Sequence, residues 1–204
     1  MSFTQDFYLP RAVENFPVLI VPGLRNSDDR HWQSLWQARL PHSKRIHVDD
    51  WSTPTLAAWR AGIRSALAQL DQPAVLIAHS FGALASAAIA AEFPDKVAAV
   101  FLVAPADPDK FGIAQQLPQD FLPVPATVIA SNDDPWMTEH KAAYWALLWG
   151  TDYLRIKQVG HINSDSNLGL WPEGVRQLHQ LVRKAKTSFI PRKLSSNLSL
   201  PQAI

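Results

Sequence analysis

A serine set between small residues is the first feature of the sequence that could do chemistry. The run Ala78-His79-Ser80-Phe81-Gly82 differs from G-x-S-x-G only in carrying alanine for the first glycine. That pattern marks a nucleophile elbow, a sharp strand-to-helix turn that exposes a serine hydroxyl; strand and helix approach so closely there that small flanking residues are needed. Ala78 meets the demand at some steric cost, Gly82 fully. As a bare string the pattern is common, and an ordinary serine at a helix N-cap reads the same way. What distinguishes Ser80 is its setting between the apolar run Ala74-Val-Leu-Ile-Ala78 and the small-residue stretch from 81 to 93.

A nucleophilic serine needs a base, and the base needs an orienting carboxylate. Two later segments offer them: Ser131-Asn132-Asp133-Asp134-Pro135-Trp136 and Gly160-His161-Ile162-Asn163. Chemistry alone does not separate Asp133 from Asp134; one would cap the following helix while the other reaches the imidazole. Asp107 and Asp109 are weaker alternatives for the acid. His161, after a glycine at a strand end, is the expected base. His79 leaves the elbow in another direction and is expected to pack or bond locally. His31, His42, His47, His140 and His179 fall on expected helices or early strands. An oxyanion hole needs two N–H groups. Phe81, following the nucleophile, supplies one, and the loop Pro22-Gly23-Leu24-Arg25-Asn26-Ser27 is placed to supply the other from Leu24.

The elements that must position these groups alternate along the chain. Continuous apolar runs at 18–21, 74–78, 97–103 and 126–130 read as strands covered on both faces, as in a parallel sheet. More alternating runs at 44–48 and 153–159 belong nearer the sheet edges. Helical patterns fill 28–40, with Trp32, Leu35, Trp36 and Leu40 on one face, and 54–70, with Leu56, Trp59, Ile63, Leu67 and Leu70 at three- and four-residue steps. Further helices are expected over 81–93, 138–149 and 172–186. Such repeats predict an α/β fold with a doubly wound, mostly parallel six-stranded sheet. The segment 104–125 carries five prolines and is a long excursion after the fourth strand. Residues 1–188 are expected to form one domain, and 189–204, rich in Ser, Pro and Asn, a flexible tail.

The order serine, acid, histidine, with the last two on loops after the fifth and sixth strands, is that of the α/β hydrolases. Composition excludes several other chemistries. Nineteen Lys+Arg against eighteen Asp+Glu leave a net charge of +1 across 204 residues, so no strong field is available for a polyanion and nucleic-acid binding is not expected. The chain has no cysteine, which removes thiol nucleophiles, disulfide frameworks and cysteine-type zinc sites. No signal-peptide pattern opens it and no apolar run reaches bilayer length, so a cytoplasmic protein without membrane contact is expected.

With these residues in hand, the sequence resembles the small serine hydrolases of the retinoblastoma-binding-protein-nine/YdeN family, within the α/β-hydrolase superfamily. The resemblance spans about residues 17–181 and rests on V-P-G at 21–23, H-W-Q at 31–33, H-S-F-G at 79–82, N-D-D-P at 132–135 and G-H at 160–161. It implies Ser80 as nucleophile, the aspartate before proline, Asp134, as acid, and His161 as base. Ala78 stands where the family commonly keeps glycine. The resemblance also implies a minimal fold without a cap domain, and hydrolysis of a small ester, thioester or activated amide through an acyl-enzyme, with no cofactor or metal. Phe111, Phe121, Trp136 and Ile162 are the residues expected to wall an apolar pocket beside Ser80, suited to a small, largely neutral acyl group. The expected partners are a small acyl substrate and water. The alternative is a weak or inactive member of the fold acting as a protein-binding partner. A dehalogenase on this fold would want an aspartate at the elbow, and Ser80 argues against it.

Overall fold

Six strands form one sheet in which every neighbouring pair is parallel, in the order β2-β1-β3-β4-β5-β6. They are β1 (Val18–Val21), β2 (Ser43–Arg45), β3 (Ala74–His79), β4 (Val97–Val103), β5 (Ala126–Ser131) and β6 (Asp152–Ile156). The computed structural model describes residues 9–40 and 42–196. The four continuous apolar runs occupy the centre of the sheet, and the two alternating ones, β2 and β6, lie at its edges, as their patterning predicts. β2 is shorter than the run that announces it, three residues rather than five, since Ile46 and Val48 are buried beyond the end of the strand.

Both faces are covered. Leu19, Val21, Leu76, Ala78, Leu102 and Val128 point into a core shared with α3 (Leu56–Leu67), α4 (Phe81–Glu92) and α5 (Glu139–Leu148). Their alternates Val18, Ile20, Ile77, Phe101, Val103 and Ile129 point into a second core with α1 (Leu9–Val13), α2 (Trp32–Gln37) and α6 (Pro172–Ser196). This two-sided burial is why the strands read as unbroken apolar runs. The small residues of α4 let it lie close on the sheet, and all ten residues from Phe81 to Ala90 are buried. In the second core Trp32, Trp36 and Trp171 pack against one another and onto Phe101, with ring centroids 4.8–6.3 Å apart.

Two helices depart from their sequence patterns. α2 is six residues long, because Asp28 accepts hydrogen bonds from the Arg30 and His31 N–H groups and holds 28–31 as a turn. α6 continues to Ser196, ten residues past the expected end and into the segment read as a tail; residues 197–204 of that tail lie outside the described residues. α1 was not apparent from the sequence; it packs on α6. Between β4 and β5 the proline-rich excursion forms two short 3-10 turns, Pro108–Phe111 and Ala114–Gln116, and no cap domain. Among the described residues no helix is long and apolar enough to cross a membrane.

The parallel register brings the carboxyl ends of the strands to one rim: Val21 lies opposite Ala78, His79 opposite Val103, and Ser131 opposite Ile156. The chain runs from β1 outward to β2 and then returns to place β3 on the other side of β1. The order therefore reverses between β1 and β3, and a ligand is expected beyond the strand ends at that point. Most of the buried polar residues cluster at this rim, namely Ser27, His31, Gln33, His79 and Ser131. The His31 imidazole is pushed down to about 4, mainly by burial, and His79 falls well below its ordinary range by burial and by the neighbouring His31 and His161 rings.

Two outcomes follow from this packing. A Cβ added at Gly82 would lie 2.4 Å from the Pro22 carbonyl oxygen and 2.5 Å from that of Val21; both are backbone atoms, so Gly82→Ala is expected to destabilise the fold by about 1–3 kcal/mol, as read by urea unfolding. The two histidines make stability fall in acid. Below pH 6.5 the unfolded imidazoles take up protons that the folded ones refuse, so their contribution is complete above that value and falls with the pH below it, that of His31 being lost progressively towards about pH 4. His31→Asn keeps an acceptor for the Gln33 N–H at the start of α2 and should show a shallower decline in melting temperature over that interval than the parent; an equally steep decline would assign the acid sensitivity to other groups.

Candidate active site

The elbow is built by strain and close contact. Ser80 has φ 55° and ψ −123°, a conformation that costs a non-glycine residue about 1–3 kcal/mol. It is held from both sides. The Ser80 N–H donates to the Val103 carbonyl at the end of β4 (3.0 Å), and α4 starts at once, the Ala83 N–H donating to the Ser80 carbonyl (3.0 Å). On the other side the β1 loop presses against the turn: a Cβ on Gly23 would lie 2.6 Å from the Ser80 Cβ. Only glycine fits at 23 and at 82, which is the physical content of V-P-G and H-S-F-G. The same contact brings Gly23 beside Ser80 Oγ, from which that Cβ would lie 3.2 Å. Phe81 and Leu24 both line the pocket above the serine.

His161 Nε2 lies 2.9 Å from Ser80 Oγ, and its Nδ1 lies 2.8 Å and 3.0 Å from the two carboxylate oxygens of Asp134. An ionised carboxylate only accepts, so Nδ1 carries the proton, and Nε2 is left to accept from the serine hydroxyl. The side chains of His161 and Asp134 are 10% and 3% exposed, which shields their interaction from water. Asp134 also accepts from the Trp136 N–H (2.8 Å), which fixes its orientation. This arrangement can remove a proton from the hydroxyl and hold the resulting imidazolium against a carboxylate.

Asp133 does neither of the jobs weighed for it. It accepts from the Ser131 hydroxyl and from the Gly160 N–H (2.9 Å), and these bonds, the hydroxyl first, hold its carboxyl below the usual range. With Asn132 accepting from the Gln158 N–H (2.8 Å), it ties the loop after β5 to the loop after β6, so Asp134 and His161 are set at a fixed spacing. Asp107 and Asp109 are likewise engaged elsewhere. Both pair with Lys141 on α5, at 2.7 Å and 2.6 Å, and they raise its ammonium above the ordinary lysine range. The Lys110 ammonium donates to the Trp136 carbonyl (2.6 Å), so the proline-rich excursion is fastened to the loop that carries Asp134.

His79 is buried, and its Nε2–H donates to the His161 carbonyl (2.9 Å) with the two rings 4.9 Å apart edge to face. It supports the backbone of His161, which agrees with the expectation that it bonds locally. His31 stands against His79 at 4.7 Å; it accepts the Gln33 N–H at Nδ1 (3.1 Å), so its buried Nε2 carries a proton and has no partner among the described residues.

The pocket over Ser80 has a volume of about 570 Å³. Phe111 and Trp136 line it, the first with its ring 5.0 Å from that of Phe81 and the second 6.3 Å from that of His161. Phe121 and Ile162 do not. Phe121 is 72% exposed and sets its ring against Gly150, because the excursion turns away from the pocket after its second 3-10 turn. Ile162 is fully buried in the core around α2 and α6, where φ 50° directs its side chain inward and its carbonyl accepts from the Trp32 indole (2.8 Å). Arg25, Asp28 and Ser164 are among the polar residues that line it as well; Ser164 donates to Asp28 (2.8 Å), the main cause of that carboxyl's lowered range.

Sequence reasoning missed Gln33, Trp59 and Arg45, three side chains that hold the β1 loop. H-W-Q carried part of the signal, but a polar residue beside two buried tryptophans reads as solvent-facing by periodicity alone, whereas Gln33 is fully buried.

Residues 18–180 match the family described as serine hydrolase. Comparison with curated sequences returned no match. Among solved structures, a protein from Pectobacterium atrosepticum assigned as a YdeN-like hydrolase is 38% identical, with a TM-score of 0.84 over 88% of this chain and 97% of that one. The ydeN gene product of B. subtilis is 19% identical, with a TM-score of 0.71 over 83% of this chain and all of that one. An esterase domain from Rhodothermus marinus is 18% identical, with a TM-score of 0.64 over 83% and 88%; these last two share the fold. With the family matched over most of its length and a YdeN-like relative at this identity, the chain belongs to the serine hydrolase family, among the small YdeN-like members of the α/β-hydrolase superfamily.

Proposed function

We propose that the protein hydrolyses a small carboxylic ester, with thioesters and activated amides open to the same chemistry, through an acyl-enzyme on Ser80. The observation that carries this reading is the unbroken chain from Ser80 Oγ through His161 to Asp134, with bonds of 2.9 Å and 2.8 Å. His161 Nε2 takes the hydroxyl proton as Ser80 Oγ attacks the carbonyl carbon, and Asp134 stabilises the imidazolium and keeps it in the productive tautomer. The N–H groups of Phe81 and Leu24 receive the developing oxyanion. His161 then returns the proton to the leaving group, whose bond to the acyl carbon breaks. Water, deprotonated by the same nitrogen, releases the acid and restores Ser80. Every step uses side-chain and backbone groups of this chain together with water.

The walls support a substrate class. Leu24, Phe111 and Trp136 present apolar surface next to Ser80, which suits a small, largely neutral acyl group, and all three are at least one-third exposed, so this part of the pocket is reachable from solvent.

Ser80→Ala should abolish ester hydrolysis while leaving the melting temperature nearly unchanged, and a fluorophosphonate probe should modify the parent at Ser80 and not the variant. A folded parent that takes no label would point instead to a protein-binding role. Asp134→Asn is expected to lower kcat by about 10⁴, the effect of leaving a histidine without its orienting carboxylate. Asp133→Asn should act differently: it keeps an acceptor for Gly160, costs far less activity, and shows in stability first. Measuring kcat and melting temperature for both variants separates the roles, and the reverse ranking would reassign the acid.

A further inference from the structure

We propose that Gln33 is the positioning residue for oxyanion stabilisation, a role that rests on the reading of Ser80 as nucleophile given above. Its side chain is fully buried, and each of its polar atoms is committed to a different part of the site. The amide nitrogen donates to the Ile77 carbonyl at 2.9 Å and to the Val21 carbonyl at 3.3 Å, and the amide oxygen accepts from the Ser27 hydroxyl at 2.7 Å. One planar group therefore joins the end of β3 just before the elbow, the end of β1 just before Pro22-Gly23-Leu24, and the far end of the loop that carries Leu24.

The geometric consequence is specific. Val21 and Pro22 expose successive carbonyls at the base of the loop, and each is held by one side-chain donor: Val21 by Gln33, and Pro22 by the Trp59 indole at 2.8 Å. Those two carbonyls are also the atoms that Gly82 closely approaches. With both peptide planes fixed against the first turn of α4, the chain has little freedom left before the Leu24 N–H. The distal end is fastened as firmly. Arg45 donates to the Asn26 side chain (2.8 Å), the Ser27 carbonyl (3.0 Å) and the Ser34 hydroxyl (2.8 Å). Of these three side chains, Gln33 is the one that also hydrogen-bonds to β3 among the described residues. It therefore couples the loop's position to that of the elbow, and thus the second donor to the first.

Oxyanion stabilisation acts only on the transition state, so a loosened donor lowers kcat and leaves substrate binding intact. Loss of a whole donor costs about 10²–10³ in kcat; displacement of one should cost less. Gln33→Met, which fills the same volume without donors, is expected to lower kcat by about tenfold to a hundredfold with KM unchanged. The affinity for phenylboronic acid, whose tetrahedral adduct on Ser80 places an oxygen in the oxyanion position, should fall in parallel. The pH profile should stay in place, because His161 and Asp134 are untouched. Ser27→Ala, which removes only the buried hydroxyl that orients the amide and leaves both Gln33 donor bonds in place, should show the same pattern at smaller size, and it decides the question if Gln33→Met does not fold. A folded Gln33→Met protein with parental kcat, or one whose kcat falls without loss of boronate affinity, overturns the assignment, as does a folded Ser27→Ala protein with unchanged kcat when Gln33→Met yields no folded enzyme. Fluorophosphonate labelling of the parent separates the two levels of inference: absence of label at Ser80 removes the nucleophile and this role with it, whereas a labelled parent with indifferent variants removes this role alone.

Discussion

The whole site depends on one steric constraint: three backbone segments meet at Ser80 with no room between them. The strained turn at Ser80, the first turn of α4 and the loop after β1 are packed so that side chains at 23 and 82 would overlap neighbouring backbone or the Ser80 Cβ. A conformation as unfavourable as φ 55°, ψ −123° persists only where the surroundings leave no alternative. Here those surroundings are a β4 carbonyl that accepts the Ser80 N–H, a small-residue helix lying flat on the sheet, and a loop fastened by Gln33, Trp59 and Arg45. These contacts hold Ser80 in its strained backbone conformation, and the serine hydroxyl is presented as a result.

The proposed base and acid are placed by a different device. Neither His161 nor Asp134 lies on a helix or strand, and loops alone would not keep two side chains within hydrogen-bond reach. The loops are joined to each other through Asp133, Asn132 and Ser131, and the base loop is joined to the body of the protein through His79 and Trp32, which donate to consecutive carbonyls, those of His161 and Ile162. H-W-Q thus serves the site from beneath: Trp32 holds the loop of the base, Gln33 holds the loop after β1, and His31 packs on His79. Burying two imidazoles for this purpose has a cost that appears in acid, where both must stay neutral against the tendency of water to protonate them.

Much was legible in the residues themselves. Unbroken apolar runs of strand length with β-branched residues read as strands covered on both faces, so the parallel sheet, its central and edge strands and its two helical layers followed from local pattern. Ser80, His161 and a carboxylate at 133 or 134 were readable because an elbow must have small neighbours and because the loops after successive parallel strands open on one rim. Asp134 was separated from Asp133 by resemblance and not by chemistry, since two adjacent aspartates are equivalent until something else binds one of them.

What only the tertiary structure decided are contacts between segments far apart in sequence, for which no local periodicity exists. Gln33 is buried against β1 and β3, although periodicity alone places it towards solvent. Phe121 and Ile162 have the composition of pocket walls, yet one turns out over Gly150 and the other turns into the core, because a loop's direction is set by what it packs against. Asp107 and Asp109 are drawn to Lys141, 34 and 32 residues away along the chain, and not to the imidazole. The sequence by itself determined which groups could react and on which strands they ride; the packing of distant segments determined which of them meet.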